Sequence, residues 1–170
     1  SLAIATPGAP NVCRAEPPAP LTIGLLVTTN LWHYNQSGTN LGTVWRGTDY
    51  DDSAWPEGPG VLGKSITALP EPINTPLSVS TNKTNFYFRT TFIVPSNVNM
   101  SALQAVHVID DGAVFYINGQ EAYRYNMPTG AIAFNGSARA NAAESGGSGG
   151  APYSLVTLTN AASALVSGTN

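Results

Sequence analysis

The stretch Ile109-Asp110-Asp111-Gly112-Ala113-Val114-Phe115-Tyr116-Ile117-Asn118-Gly119 constrains this chain more than any other, because it sets a turn, an apolar β-prone run and a second turn in consecutive positions. Asn118-Gly119 between two such runs is the strongest short-range hairpin signal, since both residues tolerate the positive φ of a type I′ turn. Asp110-Asp111-Gly112 is a further turn signal of the same chemistry. The pattern predicts a hairpin with Ala113, Phe115 and Ile117 on one face of its first arm and residues 120–125 as its second arm.

Other segments carry the same period. Residues 86–94 alternate, with Phe86, Phe88, Phe92 and Val94 on one face and Tyr87, Arg89 and Thr91 on the other, before Pro95 removes a backbone donor. Further strands are expected at 21–27, at Leu31-Trp32-His33-Tyr34 with Trp32 and Tyr34 on one face, at 103–109 and at 153–158. Between them, an Asp or Ser in 47–55 caps a helical turn that returns Trp55 to the sheet, 56–63 reads as an ordered loop, and the proline-bearing 69–79 as a connection or edge. Charged residues make up 10% against about 25% in an average soluble protein, and Gly, Pro, Ser, Thr and Asn replace them. Short strands at regular spacing indicate an all-β, antiparallel β-sandwich and not a parallel α/β sheet.

The 170 residues suit one domain at 21–170, preceded by a Pro-rich extension or linker at 1–20. Ser145-Gly146-Gly147-Ser148-Gly149-Gly150 reads as a flexible loop, because strand-like sequence resumes beyond it. Cys13 is the only cysteine, so no intrachain disulfide forms. A net charge of -3 with scattered Lys and Arg gives no basis for nucleic-acid binding, and no apolar run is long enough for a membrane span. Sequons begin at Asn35, Asn82, Asn99 and Asn135, close to the number that such an Asn-, Ser- and Thr-rich composition produces by chance. The low charge and small polar residues point to an extracellular or cell-surface location.

Taken in order, GTVWRGTDYDDSAW, FYFRTTFIV, DDGAVFYING and YNMPTG resemble the galactose-binding-like jelly-roll domains. The similarity extends to the sugar-binding domain of family 2 glycoside hydrolases and to accessory modules of secreted bacterial multidomain proteins, and it spans roughly residue 25 to the C terminus. It implies a non-catalytic sandwich that binds carbohydrate or supports an adjoining enzyme, sometimes with a structural calcium. Thr6-Pro7-Gly8-Ala9-Pro10-Asn11 also resembles the closing segment of lamin-tail-like domains, which implies a longer precursor. In the jelly-roll pattern the turn at Leu165-Val166-Ser167-Gly168-Thr169-Asn170 leads into a final apolar strand, which the chain as read lacks. Three inward side chains at roughly 1.5–3 kcal/mol each approach the whole net stability of a domain, about 5–15 kcal/mol. Either the protein continues past Asn170 or another segment fills the slot. Leu2 and Ile4 of a neighbouring subunit suit that role, giving an alternative reading as a structural subunit of a cell-surface filament joined by strand exchange.

Candidate chemistry is sparse. Asp110 and Asp111 are adjacent and suit turn hydrogen bonding better than an acid–base pair, which needs a defined carboxylate separation. Asp49, Asp51 and Ser53 match the opening of a calcium loop, but Ala54 and Gly60 replace its required Gly and Glu, so an EF-hand is excluded. His33 and His107 have no ligand-type neighbour at metal spacing and read as structural. No G-x-S-x-G elbow occurs. Trp32, Trp45 and Trp55 read as packing residues, while Tyr123 and Tyr125 on the second hairpin arm, with Asn126, suit surface contacts. No enzyme and no required cofactor is expected. The expected partner is a polysaccharide or glycan, met at a loop end formed by Asp110, Asp111, Tyr125 and Asn126, with self-association or adjoining domains as further partners.

Overall fold

A computed structural model describes residues 22–65, 69, 71–80, 83, 85–96, 100, 102–139 and 154–170. The linker at 1–20, with Leu2 and Ile4, and the loop at 145–150 lie outside these residues. Strand far outweighs helix, 30% against 6%, which establishes the all-β character. In chain order the strands are β1 (Leu31–Asn35), β2 (Glu57–Pro59), β3 (Leu62–Gly63), β4 (Thr75–Pro76), β5 (Tyr87–Arg89), β6 (Ile93–Val94), β7 (Gln104–His107), β8 (Ala113–Ile117), β9 (Gln120–Tyr125), β10 (Ser154–Thr157) and β11 (Gly168–Thr169). Among the described residues one 3-10 turn covers Val44–Arg46, and a four-residue helix, α1 (Ala161–Ala164), follows β10. The strands form small sheets, none of them closed: β2-β1-β5, β3-β4, β6-β11, β7-β10 and β8-β9, all antiparallel except the β3-β4 pair.

The hairpin is the expected one. Asn118 (φ 49) and Gly119 (φ 82) supply the two left-handed positions between β8 and β9. Its register departs from the simple pattern midway. Ile117 pairs with Gln120 and Tyr116 with Glu121, but Phe115 pairs with Tyr123, so Ala122 is an extra residue, a β-bulge. A regular ladder would set Ala122 and Arg124 beside Phe115 and turn Tyr123 and Tyr125 outward. The bulge reverses the faces beyond it. Tyr123 and Tyr125, expected at the surface, are half-buried against His107, with ring centroids 6.1 and 4.9 Å away.

Three other expectations change, the first at 56–63, expected as a loop, where β2 and β3 form and pair with β1 and β4. Residues 86–94 are not one strand: β5 pairs with β1, while β6 pairs with β11. The break comes at Thr90, whose hydroxyl donates to Leu31 O at 2.8 Å where a backbone ladder would continue. At 22–27 no strand forms; instead Val27 and Asn30 close a turn, Asn30 N donating to Val27 O at 3.0 Å and Val27 N to the Asn30 side chain at 2.6 Å.

Ile117, Ala122, Leu158, Ala161 and Ala164 form the buried cluster, with Leu103, Ala105, Val156 and Leu165 packed around it. Alanines at α1 let the short helix lie close to the bulged arm of the hairpin. Trp45 joins the β2-β1-β5 sheet to the hairpin: its ring meets Tyr87 of β5 at 4.9 Å and Tyr116 of β8 at 5.8 Å, both edge-on.

Candidate functional site

Strand β1 runs between β2 and β5, and its register sets Glu57 and Arg89 both opposite His33. Directly opposed residues project on the same side of a sheet, so acid, imidazole and guanidinium form one row across three strands. The turn at 51–55 adds a fourth group. Ser53 N donates to Asp51 Oδ1 at 3.0 Å and Trp55 N to Asp52 O at 2.9 Å, and this holds Asp52 over the row.

Arg89 donates from Nε to Asp52 Oδ2 at 2.6 Å, and from one terminal nitrogen to Gly47 O at 3.0 Å and to Trp45 O. Its guanidinium lies 5.4 Å from the centre of the Tyr50 ring. Arg89 thereby ties the 45–52 loop to the sheet. Burial raises the Asp52 pKa, but the hydrogen bonds and charges of Arg89 and His33 outweigh it and hold this carboxyl below its ordinary value.

His33 is bracketed by two carboxylates. Its Nδ1 lies 3.1 Å from Asp52 Oδ1 and its Nε2 lies 3.5 Å from Glu57 Oε1. The first contact sets the imidazole against the carboxylate whose pKa it helps to lower. Both partners at Nε2 stay accessible, the His33 side chain 33% and the Glu57 side chain 48% exposed.

The row opens into a cleft of about 120 Å³ that Leu31, Thr90 and Thr91 also line. Sites that engulf a drug-sized ligand measure about 300–1,000 Å³, so this cleft meets one edge of a larger ligand. A bigger hollow of about 230 Å³ beside Leu69, Glu71, Pro72 and Ile73 has one ionisable side chain, Glu71, among the described residues of its wall. The polar row carries more chemistry despite its smaller volume. Among the described residues, no group of three or more His, Cys, Asp or Glu side chains is arranged to hold a metal ion.

The residues singled out from sequence lie elsewhere, at the open end of the hairpin. Asn126 (φ 51) donates from its side chain to Asp111 O at 2.8 Å, which joins these two, with Asp110 adjacent in the chain. Both aspartates are exposed. Tyr125, half-buried, packs its ring 4.9 Å from that of His107. Trp45 and Trp55 are half-buried, Trp55 with its ring 5.7 Å from Tyr50, in keeping with packing roles. His33, Asp52, Glu57 and Arg89 were illegible as a set because cross-strand register, not sequence spacing, brings them together. The available signal was the alternation around Arg89, which sets a cation on a sheet face beside polar neighbours.

The fold and the row define an all-β chain with a shallow polar surface site. No family model matches the chain, and neither a curated protein nor a solved structure matches it.

Proposed function

We propose that this chain is a non-catalytic, extracellular module that binds the hydroxyl groups of a polysaccharide at the His33–Glu57 cleft, as an accessory domain of a larger surface protein. The observation that carries the reading is the imidazole–carboxylate pair, His33 Nε2 and Glu57 Oε1, 3.5 Å apart and part-exposed at the mouth of an open cleft. A sugar hydroxyl donates to the Glu57 carboxylate, the Thr91 hydroxyl meets a neighbouring one, and Leu31, 52% exposed, offers apolar surface to a ring face. Open, shallow geometry suits a chain that passes across the surface. The jelly-roll sandwich belongs to the same proposal, supported by antiparallel pairing in all but one sheet and by the turn motifs shared with galactose-binding-like domains.

Affinity electrophoresis through gels that contain soluble polysaccharides tests it. Wild type is expected to be retarded by at least one neutral polysaccharide, with Glu57→Gln or His33→Ala weakening retention about tenfold, the effect of one lost charge-assisted hydrogen bond. The Asp110→Ala/Asp111→Ala double variant should behave as wild type. Retardation by none of the polysaccharides, or retardation indifferent to His33 and Glu57, refutes the proposal.

A further inference from the structure

Asn118 does more than shape a turn. Its side-chain nitrogen donates to Ala164 O at 2.8 Å and to Asn170 Oδ1 at 3.0 Å. Ala164 O can only accept, so the orientation of the Asn118 amide is settled by chemistry. Asn170 is itself the hub of the segment after α1. Its Oδ1 also accepts from Val166 N at 2.8 Å, its Nδ2 donates to Val166 O at 2.8 Å and Gly168 O at 2.9 Å, and its backbone exchanges hydrogen bonds with Phe92 at 2.9 and 3.1 Å. One amide NH₂ group therefore latches the hairpin tip to the last turn of α1 and to the strand that pairs with β6.

That latch sits on the dipeptide most prone to asparagine rearrangement, because glycine at 119 leaves its backbone nitrogen unhindered, and Gly119 is exposed. We infer that Asn118 is a site of spontaneous deamidation, and that the modification opens the latch. The Gly119 amide nitrogen attacks Asn118 Cγ, a new C–N bond forms, and the bond to the side-chain nitrogen breaks. That nitrogen leaves as ammonia, taking the proton from Gly119. Water then adds to one carbonyl of the resulting succinimide, the ring bond from that carbonyl to nitrogen breaks as the nitrogen takes a proton from the water, and an aspartyl or isoaspartyl residue forms with no oxidant or reductant consumed. The product replaces a two-proton donor with a carboxylate, an acceptor facing the two acceptors Ala164 O and Asn170 Oδ1. Attraction becomes repulsion, β11 loosens from β6, and an edge that carries Ile93, already 69% exposed, is uncovered.

The chain contains its own comparator, Asn135-Gly136, whose asparagine is exposed. The full chain is aged in mildly alkaline buffer, sampled by peptide mapping with isoaspartate detection, and examined by hydrogen exchange. Asn118 is expected to convert, more slowly than Asn135 because its amide is held. The converted fraction should exchange the Val166 and Asn170 amides about tenfold faster, as loss of one to two hydrogen bonds predicts. Asn118→Asp, made directly, should reproduce the faster exchange without ageing. Conversion confined to Asn135, or conversion of Asn118 that leaves exchange at Val166 and Asn170 unchanged, overturns the inference.

Discussion

His107 shows how a single side chain sets a pH dependence. The residue is 7% exposed, both ring nitrogens are without a hydrogen-bond partner among the described residues, and Phe115, Tyr123 and Tyr125 pack against it. Burial among aromatic rings disfavours the imidazolium and lowers its pKa. In the unfolded chain the same group takes up a proton near pH 6.5. The unfolded state thus binds more protons below that point, and stability present above about pH 6.5 is lost as the pH falls towards the depressed folded value. The slope is at most about 1.4 kcal/mol per pH unit for one group. Asp52 and Glu121, whose pKa values are lowered, act in a separate window, their contribution being lost only below about pH 4. Urea unfolding between about pH 7.5 and pH 5 should show falling stability for wild type and a flatter profile for His107→Leu. Equal slopes for the two proteins would exclude His107 as the source. This residue was legible as structural and its aromatic box was not, because the box depends on the bulge at Ala122.

At the scale of elements, the same bulge explains the outer face of the hairpin. In a regular strand Glu121 and Arg124 point to opposite faces, and the extra residue brings them to one. Arg124 then grips the Glu121 carboxylate with two bonds of 2.6 Å and reaches Gly130 O at 3.1 Å and Pro128 O, clamping the loop that leaves β9. The hydrogen bond from Arg124 holds the Glu121 carboxyl below its ordinary value, more than offsetting its partial burial. Lysine keeps the charge but cannot make this fork or serve carboxylate and carbonyls together. Arg124→Lys should therefore destabilise the fold by about 1 kcal/mol, read as a lower urea midpoint with unchanged m-value. An unaltered midpoint would mean that the clamp is a surface contact of no consequence. Asn118-Gly119 announced the turn because the requirement for positive φ is local. The bulge had no such signature, since Ala122 is singled out only by what packs on it, and nothing of it is exposed.

For the whole molecule, the question is what makes several two- and three-stranded sheets one structure. The buried cluster around Ile117 ties the hairpin to β10 and α1, yet it does not reach the β2-β1-β5 sheet that carries the polar row. Trp45 spans that gap. Its ring bridges Tyr87 and Tyr116, while Arg46 beside it stacks its guanidinium 4.2 Å from the centre of the Tyr116 ring. Its backbone carbonyl accepts from Arg89, the residue that holds Asp52 against His33. Stability and site geometry thus pass through one tryptophan, although its core role was read from sequence without any hint of this second link. Trp45→Ala in a full core would cost about 3–5 kcal/mol; half-burial places this variant nearer the lower figure. Trp45→Phe retains an edge-on ring and the same backbone carbonyl, so it should recover much of the loss. If the row and the packing are coupled, Trp45→Ala will weaken polysaccharide retention even at temperatures where circular dichroism shows it folded, and Trp45→Phe will not. Retention unchanged in a folded Trp45→Ala protein would show that the Arg89–Asp52–His33 arrangement stands without the bridge.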